Sequence, residues 1–123
     1  MDRDMDAIRQ ILFTVRDANH AVSKVDGVED DVFKFNTMLL IEAGLVLGSS
    51  NPSGRSSSPV PAAALIRRLT WEGYDFVDSI EDDDIWHKAK QKVLKPAGSW
   101  TFSILSEYLK YEIKTKLGIQ GSS

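Results

Sequence analysis

The chain of 123 residues has no cysteine. That excludes disulfides, thiolate nucleophiles and cysteine-held metal. Histidine is almost as scarce, with only His20 and His87. Neither falls in an H-E-x-x-H or similar ligand pattern, and the chain carries no G-x-S-x-G elbow and no phosphate loop. The reading is a non-enzyme with no catalytic residues, no cofactor and no metal. No apolar run approaches the roughly 18 residues a membrane span needs. The opening MDRDMDAIRQ is charged and lacks the apolar core of a signal peptide. A cytoplasmic protein with no membrane partner is expected. An excess of positive charge is also lacking, since 15 Lys and Arg stand against 18 Asp and Glu, for a net charge of −3 and a pI of about 5.3. A generic DNA coater neutralises phosphates with Lys and Arg, so DNA binding here requires a local patch.

What is present is mostly helical periodicity. Met5, Ile8, Ile11, Leu12 and Val15 recur at helical spacing and predict a helix over 4–18. EDDVFKFNTMLLIEA, residues 29–43, predicts a second, with an acidic start and Gly44 as its left-handed cap. Its expected core face is Val32, Phe35, Leu39 and Ala43. Phe33, Met38, Leu40 and Ile41 fall elsewhere around the wheel, which implies burial on more than one side. LVL at 45–47 and AAALIRRL at 62–69 read as strands. Thr70 is expected to cap a helix through Tyr74, Val77 and Ile80, with Gly73 permitting close approach to the neighbouring strand. Asp83 or Asp84 is expected to cap a helix over 85–94, broken at Pro96, Ala97 and Gly98. Ser99 is expected to cap a last helix, 100–117, with Phe102, Leu105, Leu109, Ile113 and Leu117 on one face and Gly118 ending it.

Between the two strands lies GSSNPSGRSSSPVP, residues 48–61, which holds six serines, two glycines and three of the four prolines. Such a stretch cannot build a core. A helix feeding a two-stranded hairpin with a long polar tip is the layout of a winged helix, and the tip can be long because loop-closure entropy grows slowly with length. The expected fold is therefore mainly α with a small β-hairpin (α+β), a winged helix-turn-helix-like domain with extra C-terminal helices. Residues 1–83 form the core with its wing tip at 48–61, residues 84–118 a helical extension, and 119–123 a disordered tail.

The segments RDMDAIRQIL, LLIEAGLV and LTWEGYDFVDSIEDDDIWHKAK resemble a bacterial and phage family of small proteins classed as a domain of unknown function. Members open with Arg-Asp-Met-Asp and carry LTWEGHDFLD-like and W-x-K-x-K-like segments. The resemblance covers roughly residues 2–93, and RLTWEGYDF is also similar to the LT-x-x-G corner that follows the wing in other winged-helix regulators. It implies a winged-helix core encoded on phages and other mobile elements, and it carries no activity. Asn36 stands where relatives often have His.

EDDD at 81–84 lacks the spaced ligands and glycine of a calcium loop and reads as a helix cap with solvated charge. The candidate nucleic-acid contacts are Arg55 at the wing tip, Arg67 and Arg68 in the second strand, Lys34 in the 29–43 helix, and Lys88 and Lys92 with Lys95 at i, i+4, i+7. Against ordinary major-groove reading, that helix offers only Lys34, Asn36 and Thr37 amid Glu29, Asp30 and Asp31. Met38, Ile41, Trp100, Tyr108 and Tyr111 exceed what one core face needs and are the expected dimer or partner interface. The first functional reading is a DNA-binding regulator acting as a homodimer. The alternative is an interaction module that engages a host protein, for example as an acidic decoy of a nucleic-acid-binding defence complex.

Overall fold

The computed structural model describes residues 1–52, 58–97 and 100–118. Two compact units divide the chain between Val77 and Asp78. The first holds α1 (Met5–Asp17), α2 (Asp30–Glu42), β1 (Val46–Asn51), β2 (Ala63–Leu69) and most of α3 (Trp71–Ile80). The second holds the end of α3, α4 (Asp83–Ala89), a π-helical turn (Lys90–Leu94), the short α5 (Lys95–Ala97) and α6 (Phe102–Leu117). The architecture is α+β: mostly helical, with one antiparallel hairpin among the described residues.

In the first unit the Asp4 side chain accepts from Ala7 N at 2.9 Å and so caps α1. Ile8, Ile11, Leu12 and Val15 are buried, as their spacing predicts, and α1 packs on α2 and β2. The inward face of α2 differs from the expected one. Phe33, Asn36, Thr37 and Leu40 are buried at i, i+3, i+4, i+7, together with Phe35, whereas Val32 and Leu39 are half-buried and Ala43 is exposed. At the centre of the buried face stands Asn36, a polar residue. Its Oδ1 accepts from Asp4 N at 3.0 Å and its Nδ2 donates to Val32 O at 2.8 Å. Satisfied on both sides, it can occupy the core. Asn36 and Thr37 are therefore lost as groove-reading residues.

The hairpin starts where expected but β1 is twice as long as LVL, because Gly48, Ser49, Ser50 and Asn51 all pair with β2. Poor strand formers are carried here by backbone hydrogen bonds to an apolar partner strand. The polar loop correspondingly begins after Asn51, and residues 53–57, with Arg55, lie outside the described residues. Val22 bridges β2 from its other side, exchanging both hydrogen bonds with Ile66 at 2.8 and 2.9 Å. At the base of the hairpin Thr70 N donates to Leu45 O at 3.0 Å and Thr70 Oγ1 to Gly44 O at 2.6 Å, while Thr70 Oγ1 accepts from Gly73 N at 3.0 Å. Thr70 thus caps α3 and ties it to the end of α2. A Cβ on Gly73 would stand 2.0 Å from Leu45 O, so only glycine fits. EAGL and LTWEG, separated by the whole hairpin in sequence, meet at this joint.

In the second unit the caps shift. Asp82, not Asp83 or Asp84, accepts from Ile85 N at 3.0 Å and caps α4, and Thr101, not Ser99, accepts from Ile104 N at 3.1 Å and caps α6. The single helix expected over 85–94 is an α-helix that widens into the π-turn at Lys90, and Pro96 sits within the last helical residues rather than ending them. Leu105 and Leu109 are the buried part of the α6 stripe; Ile113 is half-buried, and Phe102 and Leu117 are exposed. α6 packs on α4 and on the π-turn.

Candidate nucleic-acid interface

The two strands of the hairpin do not match residue for residue. Leu47 pairs with Arg68 and Gly48 with Ile66, which leaves Arg67 as the extra residue of a β-bulge. Ordinary alternation along β2 would send Ala64, Ile66 and Arg68 to the same face. The bulge resets the phase: Ala64, Ile66 and Leu69 are buried, and Arg67 and Arg68 are both exposed side by side. Bulges commonly re-aim a side chain in this way. Gly48 makes it possible, since a Cβ there would lie 2.1 Å from Leu65 O. Arg68 donates to Leu69 O at 2.9 Å, and neither arginine has a carboxylate partner among the described residues. Leu47 and Leu65 are exposed on the same outer face.

The other candidate cations are engaged or belong to the second unit. Lys34 Nζ sits 2.7 Å from Asp30 Oδ2, an i,i+4 pair that neutralises it. In the second unit Lys88 lies 3.6 Å from Glu112. Lys92 is exposed, but it stands in the π-turn, so the i, i+4, i+7 face expected for Lys88, Lys92 and Lys95 is not that of a regular α-helix. On α1, Arg9 and Arg16 lie 4.6 and 4.9 Å from the centroid of the Phe13 ring.

Of the expected interface residues, Met38 and Ile41 are half-buried, as are Trp100 and Tyr108, and Tyr111 is exposed. The Tyr108 hydroxyl is buried; burial and then the Glu112 carboxylate push its pKa above the ordinary value of 10.0. EDDD serves as a cap: the Asp82 carboxylate pairs with Lys116, which holds Asp82 below and Lys116 above their usual ranges. No group of three or more metal-ligating side chains occurs among the described residues. A shallow hollow of about 450 Å³ beside His20, Lys24 and Asp26 gathers no convergent chemistry. No helix among the described residues is long and apolar enough to cross a membrane.

One residue that pattern reading passes over is Trp71, which is 80% exposed. The signal was in α3 itself. Gly73 must face Leu45, and Phe76, Val77 and Ile80 share its side. Trp71, two positions earlier and therefore turned by roughly 200° from Gly73, must point away.

A protein from Haemophilus influenzae described as uncharacterized is 26% identical to the chain over 98 residues, 76% of this chain and 79% of the relative. No solved structure matches the chain. A family sequence profile matches residues 2–99, which include the Asp4 cap, the whole hairpin and the Thr70 joint; the chain belongs to the family described as Hypothetical protein (DUF2513).

Proposed function

We propose that the protein binds nucleic acid through the outer face of its β1–β2 hairpin, as a winged-helix regulator of a phage or other mobile element. The observation that carries this is the bulge, which gives up a residue of strand pairing to present two adjacent arginines with no carboxylate partner among the described residues. The winged-helix reading is supported by α2 leading directly into the hairpin and by Val22 at a third strand position beside β2. Asn36 and Thr37 are wholly buried, so α2 does not read bases. Contact is to the phosphate backbone, and sequence selectivity is low.

Fluorescence anisotropy across a salt series tests this. Each neutralised phosphate contributes about 0.9 to the log–log slope on B-form DNA. Replacing Arg67 and Arg68 together with alanine flattens the slope by about 2 and leaves folding intact, because both side chains are exposed. Wild type that binds no DNA or RNA at low ionic strength overturns the proposal.

A second reading is the interaction module. It is favoured by Glu72 and Asp75, exposed on α3 with no basic residue on that helix. A homodimer belongs to either reading, with the exposed Ile104 and Tyr111 of α6 as contact.

A further inference from the structure

Trp71 is the most exposed large apolar side chain among the described residues. An open tryptophan forgoes the burial that a ring of that size gains in a core. Its position is fixed rather than incidental. Thr70 is bound to Gly44 O and Leu45 O at the base of β1, so the first turn of α3 leaves the hairpin at a set point. Trp71 emerges there, three residues after Arg68, whose cross-strand partner is the exposed Leu47. Tyr74, 47% exposed, follows at i+3 on the same side of α3, where side chains are neighbours on a helix surface. One end of the first unit thus carries two arginines, an exposed leucine and two open aromatic rings.

Rings and cations in this combination suit bases and phosphates differently. Guanidinium groups take phosphate whatever the strand's pairing. An aromatic ring takes the flat face of a base, and that face is free only when the base is unpaired and unstacked; such stacking tolerates any sequence. Glu72 and Asp75, exposed on the same helix, repel phosphate from α3 itself. The backbone is therefore held on the hairpin side while the bases reach toward the rings. We infer that Trp71 and Tyr74 form a stacking platform for unpaired bases beside the Arg67–Arg68 phosphate contact, and that the preferred ligand is single-stranded nucleic acid. This rests on the hairpin being the nucleic-acid contact and specifies which nucleic acid it takes.

The test uses the full chain and a short fluorescein-labelled DNA of mixed sequence, offered as single strand and as duplex at low salt. The single strand binds more tightly. Trp71→Ala weakens single-strand binding by roughly 5- to 150-fold, the range of one lost base–aromatic stack, and leaves duplex binding and the melting temperature unchanged. Trp71→Phe keeps most of the affinity. Arg67→Ala with Arg68→Ala weakens both ligands. If the arginine pair lowers affinity while Trp71→Ala and Tyr74→Ala do not, the stacking platform is wrong and the hairpin contact stands. Duplex bound as well as single strand likewise overturns the platform. If wild type binds neither, the hairpin reading falls and takes this one with it.

Discussion

Asn36 works on two parts of the chain at once. Its carbonyl oxygen holds the backbone N–H of Asp4, and Asp4 in turn caps α1, while its amide group returns to Val32 of its own helix. The Arg-Asp-Met-Asp opening is thereby explained at Asp4: the carboxylate satisfies Ala7 N and the backbone N–H is taken up by α2. Asn36→Ala leaves the part-buried Asp4 N–H without its acceptor, a loss on the order of 1–3 kcal/mol. Thermal unfolding is expected several degrees lower, with α1 the first segment to lose amide-exchange protection. A melting temperature equal to wild type would show that water replaces Asn36 at no cost. Thr37 beside it is buried with no partner for its hydroxyl among the described residues, so the α2 core face is polar at its centre and no count of apolar spacings could have found it.

At the scale of elements, the sequence was most legible where the chemistry is local. α1, β2, the Thr70 cap and the tight Gly73 contact follow from apolar spacing, a threonine and a glycine at a junction. It was least legible where a partner decides. Gly48–Asn51 are a strand only because Ala63–Ile66 lie opposite, and the extra residue at Arg67 is a mismatch between two strands that neither reveals alone. The cap at Asp82 was missed by one residue because EDDD offers equivalent carboxylates. The π-turn at Lys90–Leu94 has no sequence signature. α3 supplies a test that separates nucleic acid from a protein partner by sign. Replacing Glu72 with Gln and Asp75 with Asn removes two exposed carboxylates near Trp71. Nucleic-acid affinity should rise a few-fold at low salt, and the gain should fade as the screening length shortens to about 8 Å at physiological ionic strength. Unchanged affinity at low salt would mean that the carboxylates of α3 lie away from the bound strand, and a fall would overturn their repulsion of phosphate.

For the whole molecule, a net charge of −3 makes any nucleic-acid contact local and salt-sensitive, and the Asp82–Lys116 pair adds one pH-dependent contribution to stability. Asp82 titrates below the usual carboxylate range because Lys116 donates to it. Its contribution is present above the unfolded carboxylate pKa and is lost as pH falls through the folded value. Lys116 titrates above its usual range for the same reason, so its contribution is complete below the unfolded lysine pKa and is lost as pH rises through the folded one. Lys116→Met should therefore lower the melting temperature by the same amount across neutral pH, with the difference from wild type closing toward strong acid; a difference that persists there would exclude the pair as its cause. Oligomerisation is the remaining property of the molecule as a whole. Leu105 and Leu109 use the inward face of α6, yet Ile104 and Tyr111, seven apart and thus on one face, remain open, Tyr111 at 63%. The chain is 13.7 kDa, so light scattering at high protein concentration is expected to give twice that mass. Ile104→Glu with Tyr111→Glu should return the monomer with unchanged helix content, since neither side chain is buried and two added carboxylates oppose their symmetry mates across a two-fold contact. Monomer mass for wild type would remove the dimer and leave the hairpin contact to act alone.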